Sequence, residues 1–364
     1  MNVNSENVSS RRKPKIFNNP ERFIEGWYWV IPSKSLRVGE VKPVTILGRD
    51  LVVYRGKDKR AVILDAFCPH MGAHLAEGRV EGNDLRCFFH HWKFDGQGIC
   101  VDIPCLDKPI PIKAKSWPTV EKYNLIWIWT GESPQHPLPF LPEWEYQEFD
   151  VVLFAKCHVN CHPNVMALNP IDTQHFNTVH KLPAKINFEK QELNHNAIIF
   201  NNLYDLGKVV PWLKLLSRLY KSSFIHTICY WYGTNTIVTI GPDFLQVHIL
   251  LAMRLTEGGG TECQNLLLIK KRKGIFGRLF NQLVMFLMRI IGHYFIKGDR
   301  KILETIQFDL KTPLKADQAI TQFIHHLEKQ KPLMWKTWNL VRSPVRESQQ
   351  RENLANWRDE LVND

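Results

Sequence analysis

Two groups of residues in this 364-residue chain have the types and spacing that chemistry needs. The fragments CPHMGAHL and CFFHHWKFDGQG supply Cys68-x-His70 and, further on, Cys87-x-x-His90. Two thiolates and two imidazoles hold metal in two distinct ways. A single Zn²⁺ would take all four as a tetrahedral structural site. A [2Fe–2S] cluster would take the two thiolates on one iron and the two imidazoles on the other. The second group lies in NPIDTQHFNTVH, which gives Asp172-x-x-His175-x-x-x-x-His180. Asp172 and His175 are three apart and share one face of a helix. His175 and His180 would diverge by about 140° on a regular helix. If they meet at one metal, a π-bulge or local break must bring them together, and Pro170 just upstream favours such an irregularity.

The elements that must position these groups fall into two regions. From Gly26 to about Gly131, short β-branched or aromatic runs (VKPVTILG, DLVVYRG, AVILDAF, NLIWIWTG) alternate with turns, and FDGQGIC reads as a hairpin turn. This predicts a small all-β domain. The Pro-rich SPQHPLPFLP, from Ser133 to Pro142, reads as a linker. Beyond it the pattern is mixed: helix after Pro163, strands within 223–251 and 265–270, and helices through 275–328. The predicted organisation is a disordered tail over 1–20, a first domain over 21–135, a second over 136–335 and a charged tail over 336–364.

The flanks of the Cys/His groups resemble a known family. Pro69 and Gly72 shape a tight loop around the first pair, and Trp92 and a Gly-containing turn follow the second. This pair of loops resembles the Rieske cluster-binding motif, which selects the [2Fe–2S] reading of Cys68, His70, Cys87 and His90 over zinc. The family commonly has Pro and Gly where this chain has Phe88 and His91. His91 therefore sits beside the assigned ligand as a competitor, although the spacing favours His90. His74 reads as a hydrogen-bonding loop residue, and Cys100 and Cys105 as ordinary thiols. GWYWV, KSWPTVEKYNLIWIWTG and the Asp172 motif occur in family order, so the resemblance to Rieske non-haem iron oxygenases spans roughly 24–330. CHPNVMALNPIDTQHFNTVH and TIGPDFLQVHIL look most similar to the branch of ketosteroid hydroxylases and cholesterol desaturases, with the branch acting on tetrapyrroles as the second candidate.

That resemblance implies an α+β protein: an antiparallel β Rieske domain, then a helix-grip catalytic domain with an antiparallel sheet over a long helix. It implies that His175 and His180 bind a mononuclear Fe(II), and that Asp172 bridges a metal-bound histidine of each centre. The third ligand of the facial triad would be a distant carboxylate on a long helix. Asp299 in FIKGDRKILETIQF is the candidate, with an N-cap after Gly298 as the competing role and Glu304 in reserve. It further implies O₂ as co-substrate, a homotrimer, and a ferredoxin or flavin reductase as electron donor. A Rieske electron carrier without catalytic iron is the rival class.

Composition narrows the partners. The chain is 44% hydrophobic and 23% charged, enough for a sizeable core. The formal charge of +11 suits an acidic electron-donor protein, whereas the scattered basic residues and absent motif argue against nucleic acid. The start, MNVNSENVSSRRKPKIF, shows no apolar secretory run, so the eight cysteines are expected to be reduced and the protein cytoplasmic. The apolar stretch 275–296 is broken by Arg278, Asn281, Gln282, Arg289 and His293, and is expected to form an amphipathic helix covering a core. Lys270 to Lys273 precede it, which keeps peripheral membrane contact open. GKVVPWLKLLSRLYKSSF, 207–224, reads equally as a lid over an apolar substrate or as a surface helix.

Overall fold

The structure is a computed structural model that describes residues 16–19, 22–139, 141, 144, 147–181, 187–204, 224–232, 234–242, 245–256 and 258–333. The tails read over most of 1–20 and over 336–364, and nearly all of the segment 207–224, lie outside the described residues.

The first half is built from β1 (Trp27–Pro32), β2 (Val41–Ile46), β3 (Arg49–Arg55), β4 (Ala61–Asp65), β5 (Arg79–Glu81), β6 (Asp84–Arg86), β7 (Lys93–Phe94), β8 (Cys100–Asp102), β9 (Ser116–Trp117), β10 (Thr119–Lys122) and β11 (Leu125–Trp129). They form three antiparallel sheets, ordered β1-β11-β10, β2-β3-β4-β9 and β5-β6-β7-β8. Pro43 is tolerated within β2 because β2 is an edge strand. Tyr123 and Asn124, both at positive φ, make the two-residue turn that joins β10 to β11. The hairpin expected at FDGQGIC joins β7 to β8.

The second half holds β12 (Phe149–Val159), β13 (Glu189–Asn194), β14 (Ala197–Tyr204), β15 (Phe224–Trp231), β16 (Asn235–Pro242), β17 (Val247–Leu255) and β18 (Thr261–Lys270). These make one antiparallel sheet ordered β12-β18-β17-β16-β15-β14-β13. The helices are α1 (Pro163–Met166), α2 (Thr173–Thr178), α3 (Gly274–Thr305) and α4 (Gln318–Glu328). The sequence reading found β15 to β18 but missed β12, β13 and β14. β13 is mostly exposed and charged, so it lacks the alternation that signals a half-buried strand.

Two expectations change. The Pro-rich segment is no loose linker: Leu138 and Leu141 are buried in the main core, and the carbonyls of His136 and Pro137 accept hydrogen bonds from Trp27 Nε1 and Tyr232 Oη. The long helix α3 does not bury itself in a core. Its inner stripe packs on β12 and β18 through Asn281, Met285 and Gly292, while most of its other apolar side chains are exposed.

Arg254 on β17 fastens the two halves together. Its guanidinium donates to the carbonyls of Trp29 and Val30, pairs with Glu262 at 2.6 Å, and lies 4.1 Å above the Trp29 ring. Replacing it strips hydrogen bonds from buried carbonyls and removes one of the partners of Glu262. We expect Arg254→Ala to cost about 3 kcal/mol in denaturant unfolding; a loss below about 1 kcal/mol would show that the link is dispensable. Burial also lowers His162, His226, His248 and His326 to about 4, from an ordinary 6.5. Between those values the unfolded chain binds more protons than the folded one, so stability is full above pH 6.5 and falls as pH drops toward 4. Melting temperatures recorded from pH 7.5 down to 4.5 should decline across this window; a flat profile would contradict neutral buried rings.

Candidate metal centres

The first Cys/His pair lies on the loop after β4 and the second on the β6–β7 turn. Each loop is pinned by its own backbone: Cys68 N–H donates to Ala73 O and Gly72 N–H to Cys68 O, while Cys87 N–H donates to Trp92 O. Gly72 sits at φ +77, a left-handed backbone conformation that glycine adopts without the strain an L side chain would carry. Cys68 and Cys87 are buried in a core with Trp92, Phe94 and Cys100, whereas His70 and His90 are exposed.

The four side chains converge. The His70 and His90 rings are 4.6 Å apart, and Trp92 stacks on His70 at 4.3 Å and 7°. Burial pushes the Cys68 thiol up to about 11, and the neighbouring Cys87 thiol adds to the rise. The Cys68 thiol thus resists ionisation on its own, and metal ions supply the positive charge that turns such a group into a thiolate ligand. The donor set thus fits a cluster with its sulfur-ligated iron inside and its imidazole-ligated iron outside. Cys100 donates to the carbonyl of Asp102, and Cys105 is exposed. His74 Nδ1 accepts from Ala76 N–H and caps a short 3₁₀ turn, the loop role expected of it. His91, at φ +58, offers its carbonyl to Arg86. His90 is the neighbour whose ring meets His70.

At the second group the irregular helix takes a definite form. α2 ends at Thr178, Val179 N–H bonds His175 O at 2.8 Å, and His180 N–H reaches the same oxygen at 3.4 Å. That i→i+5 contact swings His180 back toward His175, and their rings come within 4.9 Å. Asp172 is not on the helix face with His175, as the spacing had suggested. It is the N-cap, with Oδ1 accepting from the N–H groups of Gln174 and His175. Its carbonyl lies 2.7 Å from His175 Nδ1. A proton on Nδ1 therefore leaves the Nε2 lone pair free to face inward.

Asp299 comes to the same point from α3. The helix is continuous through Gly298, so Asp299 is not an N-cap. A Cβ at Gly298 would lie 3.4 Å from His180 Cε1, in van der Waals contact, so the helix passes directly beside the His180 ring. Asp299 Oδ1 lies 2.8 Å from His180 Nε2 and 3.8 Å from His175 Nε2. Among the described residues, these three alone bring ligand atoms within 4.8 Å of one another. Oδ1 is buried and makes no hydrogen bond of acceptable geometry. Burial raises the Asp299 carboxyl above its ordinary range, offset in part by the two histidines and Asn169. The orphaned oxygen and the two imidazoles match the donor set that ligates Fe(II) on one face. Glu304 is exposed and paired with Arg300, away from this point.

Asn169 escaped the sequence reading, since it carries no metal chemistry, and Gly298 entered it only as the residue before a possible N-cap. Phe295 and Phe176 were missed as well; their rings lie 4.5 Å from His180 and 4.4 Å from His175 and shield the group. Distinguishing His90 from His91 is a direct test. His90→Ala should lose the [2Fe–2S] absorbance and its acid-labile sulfide, whereas His91→Ala should keep both; the reverse pattern would move the ligand by one residue.

Known proteins resemble this chain in sequence and in fold. Residues 26–124 match the Rieske [2Fe–2S] domain family. The chain is 39% identical over 176 residues to a cholesterol 7-desaturase of Ciona intestinalis, covering 47% of this chain and 37% of that protein. It is 31% identical over 169 residues to the oxygenase component of the 3-ketosteroid-9-alpha-monooxygenase of Rhodococcus rhodochrous, covering 44% of this chain and 45% of that one. The matched stretches thus span less than half the length of these relatives. Dicamba monooxygenase bound to dicamba superposes with a TM-score of 0.64 at 20% identity, over 84% of this chain and 96% of that chain. The cluster-type loops, the seven-stranded sheet with its long helix, and these likenesses lead to one assignment: residues 26–124 are a Rieske [2Fe–2S] domain, and the chain is a relative of the Rieske non-haem iron oxygenases with their α+β fold.

Proposed function

We propose that the protein is the terminal oxygenase component of a Rieske system, oxidising an apolar, steroid-like molecule with O₂ and electrons from a separate donor. The observation that carries this reading is the inward-facing set of His175, His180 and Asp299 in a chain that also holds a Rieske domain. An electron carrier has no use for such a set. The reading assigns electron entry to residues 21–135, through Cys68, His70, Cys87 and His90. It assigns oxidation to residues 136–335, with His175, His180 and Asp299 holding iron.

Iron at that point would supply the O₂ chemistry that amino-acid side chains lack. The chain's own residues do the rest. Asp172 O fixes the tautomer of His175, and the Asp172 carboxylate anchors the start of α2. Asp299 brings a negative charge on a rigid helix, and Phe176 and Phe295 exclude water from the imidazoles. Asp172 would couple this point to a histidine of a neighbouring subunit's cluster within a homotrimer, as the family resemblance implies. Ferredoxin or a flavin reductase is the proposed donor, and the charge of +11 favours an acidic one. Steroid-like substrates are favoured by the names of the relatives; whether the reaction is hydroxylation, desaturation or demethylation depends on which carbon is held nearest the metal. Eight free cysteines support a reducing, cytoplasmic setting, and the outer face of α3 supports contact with a membrane surface.

Iron and sulfide analysis of anaerobically purified protein tests the assignment. The reading requires about three irons and two sulfides per chain. Asp299→Ala should lose one iron and keep the cluster spectrum, and reductase-driven O₂ uptake with a sterol substrate should fall at least a hundredfold. Asp172→Asn preserves a good N-cap, so it should keep all the iron yet slow electron delivery. Two irons per chain that added Fe(II) cannot supplement would identify an electron carrier instead.

A further inference from the structure

The outer face of α3 is unlike the surface of an ordinary core helix. Ile275, Phe276, Leu279, Leu283, Phe286 and Ile290 are all exposed, Phe276 at 85% and Ile275 at 69%. Tyr294, at 68%, closes the row. At 3.6 residues per turn the exposed apolar side chains occupy one continuous arc of roughly 160°. Arg278, Gln282, Arg289 and His293 line one edge of that arc, and the stripe of Asn281, Met285 and Gly292 lies opposite it. Among the described residues, this is the one helix long and apolar enough to cross a membrane.

Its attachment excludes crossing. Asn281 Nδ2 donates to Asp150 Oδ2 at 2.7 Å and to Lys270 O at 3.0 Å, Arg289 donates to Leu153 O, and Gly292 lies against the Phe154 ring. A helix clamped to a sheet along one side cannot be surrounded by lipid. It can lie in a bilayer surface with its free arc in the acyl boundary.

The charges identify the occupant. No acidic residue occurs from Gly274 to Gly298, while Arg278, Arg289 and Lys297 lie within that span and Lys270, Lys271, Arg272 and Lys273 immediately precede it. Lys271 is engaged by Glu148, but the end of the helix remains strongly basic. Two copies meeting through this arc would bring cations against cations, with no carboxylate on this stretch to answer them. Anionic lipid headgroups answer them directly.

We propose that the outer face of α3 is a docking site for an anionic bilayer, with the helix lying in the plane of the membrane. Asp299 follows Tyr294 on the same rigid rod, about 7.5 Å further along the axis. Docking therefore sets the triad close to the lipid surface, where an apolar substrate dissolves. The docking itself does not depend on the catalytic reading, and its test needs no turnover.

Co-sedimentation of the full, cluster-loaded chain with phosphatidylcholine vesicles, with and without about 30% phosphatidylserine, reads it directly. The wild type should bind the anionic vesicles, and added salt should weaken that binding. F276S/F286S should lower partitioning at least about tenfold, and K273E/R278E should bring anionic vesicles down to the level of neutral ones. The visible spectrum of the cluster and the circular dichroism report folding in each variant, and all four substituted side chains are exposed. Failure of the wild type to bind, or unchanged binding by F276S/F286S, would overturn the proposal. So would an oligomer in sedimentation velocity that F276S/F286S dissociates while vesicle binding is absent, since the face would then join copies of the chain.

Discussion

A buried carboxylate oxygen without a hydrogen-bond donor is the constraint around which the second half of this protein is arranged. Asp299 Oδ1 faces two imidazole nitrogens, 2.8 Å from His180 Nε2 and 3.8 Å from His175 Nε2. Burial opposes the charge on Asp299, and it also lowers the pKa of His180. Left alone, such a cluster is costly. A divalent cation would take the buried carboxylate and the two imidazoles as ligands and would offset the cost of burying that oxygen. The proposed iron site follows from this electrostatic logic as much as from its family likeness.

Holding the carboxylate there requires stiffness over a long chain distance. Asp299 is separated from His180 by most of the large sheet, and it returns on a helix of 32 residues. The helix is fixed by the side-chain network of Asn281 near its start and by packing of Gly292 on Phe154, and it closes on His180 through Gly298. The same helix turns an unpartnered apolar arc outward. Asp299 follows Asn281 by about five full turns, so it lies on the inner side of the rod, opposite the outer arc.

The Rieske end shows the opposite arrangement of polarity. There the sulfur side is enclosed by Trp92, Phe94 and Leu75, and the imidazole side faces outward. Low dielectric surrounds the thiols, and the edge where His70 and His90 meet is exposed. Trp92 stacks on His70 and so constrains the plane of that ring. Arg254, reaching from the large sheet to the carbonyls of β1, joins this half to the other through buried polar contacts rather than a flexible connection.

Much of this was legible in the sequence because it is carried by local spacing. The paired Cys/His loops, the interrupted helix at His175 and His180, and the all-β character of the first half depend on residues close in the chain and on turn chemistry. Sequence also singled out Asp299, though only through likeness to a family, and left it competing with a helix cap. What tertiary structure alone decided are matters of direction. It placed Asp299 inside an unbroken helix with its carboxylate on His180, and turned Asp172 into an N-cap whose carbonyl orients His175. It packed the Pro-rich segment into the core, and it left the apolar face of α3 uncovered, where the sequence predicted burial. Periodicity tells which residues share a face, but not what that face meets; only the packing of distant elements sets the partner, because the energy of burial depends on neighbours the local sequence does not contain.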